Sequence, residues 1–118
     1  MVVLSLSNDG PLPTTVTDPL SDDTDVSALI SQNERDRVKG WVDEAVAQGG
    51  RIVTGGEIDD NGVLVPTVIA DAKPEMQVCI NEVFGPVVAI QSIDSVDEGL
   101  KIANDTAYGL QAAIFTND

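Results

Sequence analysis

Glu82-Val83-Phe84-Gly85-Pro86-Val87-Val88-Ala89-Ile90-Gln91-Ser92-Ile93 is the stretch on which the fold turns. Its second half is apolar enough to predict a central, buried strand over 87–93. Its first half puts an acid, an aromatic ring and a Gly-Pro corner at the mouth of that strand. Glycine lets the backbone bend or approach a ligand closely, and proline then fixes the exit direction. A carboxylate and a ring held in this way suit a ribose diol and a flat heteroaromatic ring. The residue types alone favour a plainer reading, a packed phenylalanine in a turn beside a solvated glutamate.

Elements on both sides give the string its setting. Ser31 and Glu34 have the spacing of a capping box, and Val38, Trp41, Val42, Ala45 and Val46 draw one apolar stripe behind them. Gly49-Gly50 supplies a left-handed stop, so a helix is predicted over 31–48. Arg51-Ile52-Val53-Thr54 reads as a short buried strand, and Asp59-Asp60-Asn61-Gly62 as a turn. The β-rich run 63–69 contains Pro66, which points to an edge strand or a bulge. Downstream, Ser95 and Glu98 repeat the capping spacing ahead of Val96, Leu100 and Ala103, a second helix ending near Asn104-Asp105. A last strand is expected over 110–115. Strands alternating with helices indicate an α/β fold with some parallel pairing.

Residues 1–25 differ, carrying Pro11, Pro13 and Pro19 among many Ser, Thr and Asp. They predict an extended arm or loop, with 1–6 able to form a strand and 1–17 mobile. Order is expected from Val26 onward. The thin sandwich of elements and the apolar run close to Asp118 suggest a piece of something larger.

Composition removes several functions. The 118 residues include 20 Asp and Glu against 6 Lys and Arg, a net charge of -14, which repels phosphate backbones and argues against nucleic acid as a partner. No apolar run reaches the length of a membrane span, and no charged n-region precedes an apolar h-region and a cleavage site. The absence of histidine excludes Ser-His, Cys-His and His-metal arrangements. One cysteine, Cys79, can form neither an internal disulfide nor a thiolate metal cage. These features predict a reduced, soluble, cytoplasmic protein with no bound metal. With 42% hydrophobic residues but only 3% aromatic ones, the core falls to Val, Ile, Leu and Ala.

Further landmarks carry a resemblance. In order they are Asp18-Pro19-Leu20, Thr24-Asp25-Val26, Leu29-Ile30-Ser31, Gly49-Gly50-Arg51-Ile52-Val53-Thr54-Gly55-Gly56 and Pro66-Thr67-Val68-Ile69. Then come Pro74-Glu75-Met76, Glu82-Val83-Phe84-Gly85-Pro86-Val87, Ala103-Asn104-Asp105-Thr106 and Tyr108-Gly109-Leu110. Residues 18–118 resemble the C-terminal part of the catalytic domain of the NAD(P)-dependent aldehyde dehydrogenase superfamily; 1–17 match it poorly. The resemblance implies a partial Rossmann-like α/β domain with a mixed or parallel sheet and two main helices.

It also implies the chemistry of the intact family. A cysteine thiolate attacks the aldehyde, backbone and amide donors hold the oxyanion, and hydride passes to nicotinamide. A glutamate-activated water then releases the carboxylic acid. In that scheme Glu82 hydrogen-bonds the nicotinamide ribose and Phe84 flanks the nicotinamide ring; both place NAD or NADP rather than change a bond. The nucleophile, the general base and the cofactor domain fall outside these 118 residues. The expectation is therefore a fragment that is inactive alone, binds no cofactor on its own and has no catalytic residue. A competing expectation is a non-catalytic module that self-associates or docks on a relative through an exposed sheet edge.

Two departures from the family pattern stand out. Ser27-Ala28 replaces a usual Gly-Pro, and Asn81 stands where a second acid often precedes Glu82. Among other candidates, Cys79 lies outside the family's nucleophile motif, lacks a basic neighbour in sequence and reads as a packing residue. Arg37 is expected to pair with Asp36, Glu34 or Asp43, the alternative being a reach toward the cofactor ribose. Trp41 reads as core. Asp22, Asp23 and Asp25 form a solvated loop without EF-hand spacing.

Overall fold

The computed structural model describes residues 18–109 and 111–115. The expected arm at 1–17 lies outside the described residues.

Helix α1 (Gln32–Ala47) forms where the capping spacing predicts it. Ser31 Oγ accepts the Glu34 N–H at 3.2 Å, satisfying one of the helix's free donors. The Glu34 carboxylate does not return the favour. It takes two donors from Arg37 instead, a charged partner that outbids a neutral N–H. At the other end Gly49, at φ +102°, donates to the Val46 carbonyl and Gly50 donates to the Ala45 carbonyl, a Schellman closure. Val38, Val42 and Ala45 face the core, whereas Val46 stands off the buried stripe.

Three short strands follow: β1 (Arg51–Thr54), β2 (Thr67–Ala70) and β3 (Val87–Ala89). They lie in the order β1-β2-β3. β1 and β2 are antiparallel, with Arg51 opposite Ala70, and the register slips between Ile52 and Thr54. β2 and β3 are parallel, with Thr67 opposite Val87 and Ile69 opposite Ala89. The sheet is thus mixed, as expected, but the roles of two runs are exchanged. The strand after Pro66 is central, and the run from Val87 is at the edge of the described sheet. Pro66 costs no ladder bond because pairing starts one residue later, where the Thr67 N–H donates to the Pro86 carbonyl at 2.8 Å. The irregularity falls on β1 instead.

Beyond β1 the backbone of Gly55 runs against Pro66 so closely that a Cβ there would lie 2.1 Å from the Pro66 oxygen. Buried Thr67 seals the approach: its Oγ accepts the Gly56 N–H at 2.8 Å and donates to the Val65 carbonyl at 2.7 Å. The Asp59 turn forms as predicted, with Asp59 Oδ1 accepting the N–H groups of Asn61 and Val63.

A one-turn helix α2 (Gln77–Ile80) precedes the loop into β3. The core gathers Val38, Val42 and Ala45 of α1 with Leu64, Ile69, Met76, Val78, Val83, Val87 and Ala89. Helix α3 (Val96–Asn104) is capped by Ser95, whose Oγ accepts the Glu98 N–H, while the Glu98 carboxylate takes the Asp94 N–H. Its apolar residues Val96 and Leu100 remain exposed, and only Gly99 is buried. The strand expected at 110–115 is not formed at 111–115, and Leu110 lies outside the described residues. Ile114 and Phe115 are exposed, and among the described residues no strand pairs with this apolar run to give it a ladder.

Candidate functional site

The loop 81–86 connects α2 to β3 and lies against α1. Asn81 closes α2, its side-chain amide donating to Gln77 Oε1 at 2.6 Å. Val83 is buried in the core and Val87 begins the sheet, so both ends of the loop are anchored. At Gly85 an added Cβ would come within 3.4 Å of Leu29 Cδ2 and 3.3 Å of Val38 Cγ1, which shows how tightly the corner is pressed on α1. The Val87 N–H donates to the Gly85 carbonyl at 2.8 Å across Pro86.

Between these anchors the two residues singled out by sequence both stand in solvent. Glu82 is exposed, and among the described residues nothing hydrogen-bonds or ion-pairs with its carboxylate. Phe84 is 75% exposed, so the ring is not the packed phenylalanine of the plainer reading. Its backbone is also unusual: φ is +49°, a left-handed conformation that costs a residue with a Cβ roughly 1–2 kcal/mol. An exposed ring on strained backbone, flanked by buried valine, presents an apolar face without contributing to the core.

Arg37 holds this loop from α1. Its Nε and Nη2 donate to Glu34 Oε2 at 2.9 and 2.7 Å. Nη2 also donates to the Val83 carbonyl at 3.0 Å, and the guanidinium lies 4.3 Å from the centre of the Trp41 ring. Of the pairings expected for Arg37, the one with Glu34 is present. The bond to Val83 was not foreseen, and the only sequence signal for it was an arginine on the helix that the loop must cross. Arg35 makes a similar reach, donating to the Gly62 carbonyl at 3.0 Å as well as to Asp36.

The remaining candidates lie elsewhere. Cys79 sits in α2, half-buried against the core, as a packing residue should. Burial pushes its thiol above the ordinary range, and a hydrogen bond from Gln91 only partly opposes that. Such a thiol is a poor nucleophile at neutral pH. Trp41 packs partly on the core while carrying Arg37 on its face. Among the described residues no group of three or more acidic or thiol side chains could hold a metal ion. An open hollow after α3, lined in part by Asn104, Thr106, Tyr108 and Gln111, includes neither Glu82 nor Phe84. No helix among the described residues is long and apolar enough to cross a membrane.

Comparison with known proteins places the chain among aldehyde dehydrogenases. The 3-sulfolactaldehyde dehydrogenase of Priestia megaterium is 44% identical over 103 residues, which is 87% of this chain and 21% of that protein. The 1-pyrroline-5-carboxylate dehydrogenase of Bacillus pumilus is 42% identical over 106 residues, 88% of this chain and 20% of that protein. Among solved structures, a Mycobacterium tuberculosis aldehyde dehydrogenase complexed with NAD+ superposes with a TM-score of 0.81 at 34% identity, covering 89% of this chain and 23% of that one. Aldehyde dehydrogenase 21 of Physcomitrella patens, in complex with succinate, gives 0.80 at 38% identity, covering 89% and 22%. The chain spans about a fifth of the length of these relatives. A family model described as "Aldehyde dehydrogenase family" matches residues 13–118, and the chain belongs to that family.

Proposed function

We propose that this chain is a cofactor-facing segment of an NAD(P)-dependent aldehyde dehydrogenase. Glu82 accepts hydrogen bonds from the nicotinamide ribose, and Phe84 lies beside the nicotinamide ring. The observation that carries the reading is the pairing of an exposed carboxylate, unpartnered among the described residues, with an exposed ring on left-handed backbone, two positions apart on an anchored loop. A carboxylate with free lone pairs fits a diol, and an aromatic face fits a flat heterocycle. The nicotinamide held there would supply the hydride acceptor for the oxidation. The residues of this chain orient the cofactor and perform no bond change, so these 118 residues alone turn over no aldehyde.

A titration of the isotopically labelled chain tests this. Without a phosphate-cradling glycine loop, affinity for NAD is expected to be feeble, with nothing retained at micromolar concentration. Nicotinamide mononucleotide at millimolar concentration should move the amide resonances of 81–87, and adenosine monophosphate should leave them in place. Shifts produced equally by the adenine nucleotide would refute the assignment of Glu82 and Phe84. Turnover of an aldehyde panel with NAD or NADP by the chain alone would refute the assigned division of labour.

A further inference from the structure

We infer that Arg37 is a positioning residue: by gripping the Val83 carbonyl it locks the left-handed backbone at Phe84 and so sets where the Phe84 ring points. The inference rests on the reading of Phe84 as a cofactor-facing ring, but the lock itself is a property of the protein without ligand.

The argument follows from which peptide the guanidinium holds. The Val83 oxygen belongs to the plane that joins Val83 to Phe84, and rotation of that plane changes φ at Phe84 directly. A half-turn would carry φ at Phe84 from +49° to the negative values that residues with a Cβ ordinarily adopt, and so relieve its strain. It would also swing the Val83 carbonyl away from Arg37 Nη2, which now lies at 3.0 Å. A hydrogen bond from a cation to a partly buried carbonyl outweighs the strain of one left-handed residue, so the strained orientation persists.

Arg37 is itself held on three sides, which makes it a suitable grip. Glu34 takes two of its donors, the Trp41 face lies beneath it, and the Val83 oxygen closes the arrangement. The charged groups nearest in sequence on α1 have other partners: Arg35 pairs with Asp36, and Lys39 pairs with Asp43. Glycine would adopt the same backbone at position 84 without strain, but it would bring no ring. The side chain that is wanted at 84 therefore requires a device elsewhere to hold its backbone.

Nuclear magnetic resonance on the 118-residue chain decides it. A residue with positive φ gives a strong intraresidue cross-peak between its amide and α protons. The wild-type chain should show one at Phe84. Arg37→Met should weaken that cross-peak, with the ratio of the two peptide orientations shifting by at least about tenfold, as loss of a charge-assisted bond implies. Glu34→Gln, which leaves the Val83 bond in place, should keep it. Methyl resonances of Val38 and Val42 report whether each variant stays folded, and Arg37→Gln serves if Arg37→Met does not. An unchanged Phe84 cross-peak in a folded Arg37 variant overturns the inference. Added nicotinamide mononucleotide should perturb the Phe84 and Gly85 amides several-fold less in the variant than in the wild type. A wild-type chain with the cross-peak but no response to the mononucleotide sinks the cofactor reading and leaves the lock standing.

Discussion

Replacing Gly55 by alanine should be among the most damaging single-methyl changes available in this chain. The new Cβ would lie 2.1 Å from the Pro66 oxygen, 2.8 Å from the Pro66 carbonyl carbon and 2.8 Å from Thr67 Oγ. Two of those three atoms are backbone, so no side-chain rotation relieves the clash. The residue also sits at φ +70°, where a Cβ costs roughly 1–2 kcal/mol. Displacing Pro66 and Thr67 adds about 1–3 kcal/mol of overpacking, and it loosens the bond from Gly56 to Thr67. Against this, alanine restricts the unfolded chain and returns about 0.4–1 kcal/mol. The net loss is about 2–4 kcal/mol, or a fall in melting temperature of roughly 8–16 °C for a domain of this size.

Gly40→Ala is the matched control. It adds the same methyl inside α1, where a Cβ meets nothing within 4 Å. It should stabilise the protein by up to about 1 kcal/mol. Urea denaturation followed by circular dichroism measures both. If Gly55→Ala unfolds at the wild-type midpoint, or Gly40→Ala falls as far as Gly55→Ala, the account of the β1–β2 approach is wrong.

Three further outcomes are expected. Ser31→Ala removes the cap of α1 and should cost about 1 kcal/mol in the same denaturation assay, since α1 supplies much of the core. Leu64→Ala, at a fully buried position, should cost about 2–5 kcal/mol and shift the urea midpoint accordingly. Cys79 should alkylate slowly in the native chain at neutral pH and at the ordinary thiol rate once unfolded. Because its folded thiol holds a proton more tightly than the unfolded one, its stability contribution is complete below the ordinary value of 9.0. That contribution is lost as pH rises through the higher folded value. Stability measured across alkaline pH should lose this dependence in Cys79→Ala.

The sequence was most legible where structure is local. α1 could be read because its cap, its stripe and its Gly49-Gly50 stop lie within one continuous segment. The Asp59 turn could be read because Asp59 satisfies its own neighbours. Strand order was not readable, because Pro66 looks like an edge marker until its position just before the first paired residue is known. α2 was missed: one turn with no side-chain cap leaves no periodic signal. The stripe on α3 announces an apolar face without saying what faces it, and Val96 and Leu100 are in fact exposed.

The candidate site was legible in its chemistry and hidden in its backbone. Glu82, Phe84 and the Gly-Pro corner are visible as a string. A positive φ at a phenylalanine is not, because such residues rarely adopt it unless distant groups enforce it. The enforcing contact joins Arg37 to Val83 across 46 positions, a separation at which residue spacing carries no information.

Trp41 is the only tryptophan in the chain, accompanied by one tyrosine and two phenylalanines. Its indole lies directly beneath the Arg37 guanidinium. Emission excited at the red edge of the aromatic band therefore originates at the helix face behind the Phe84 loop and almost nowhere else. Any event that lifts the guanidinium off the indole will change the intensity or colour of that light, giving the loop an intrinsic optical reporter that needs no attached dye.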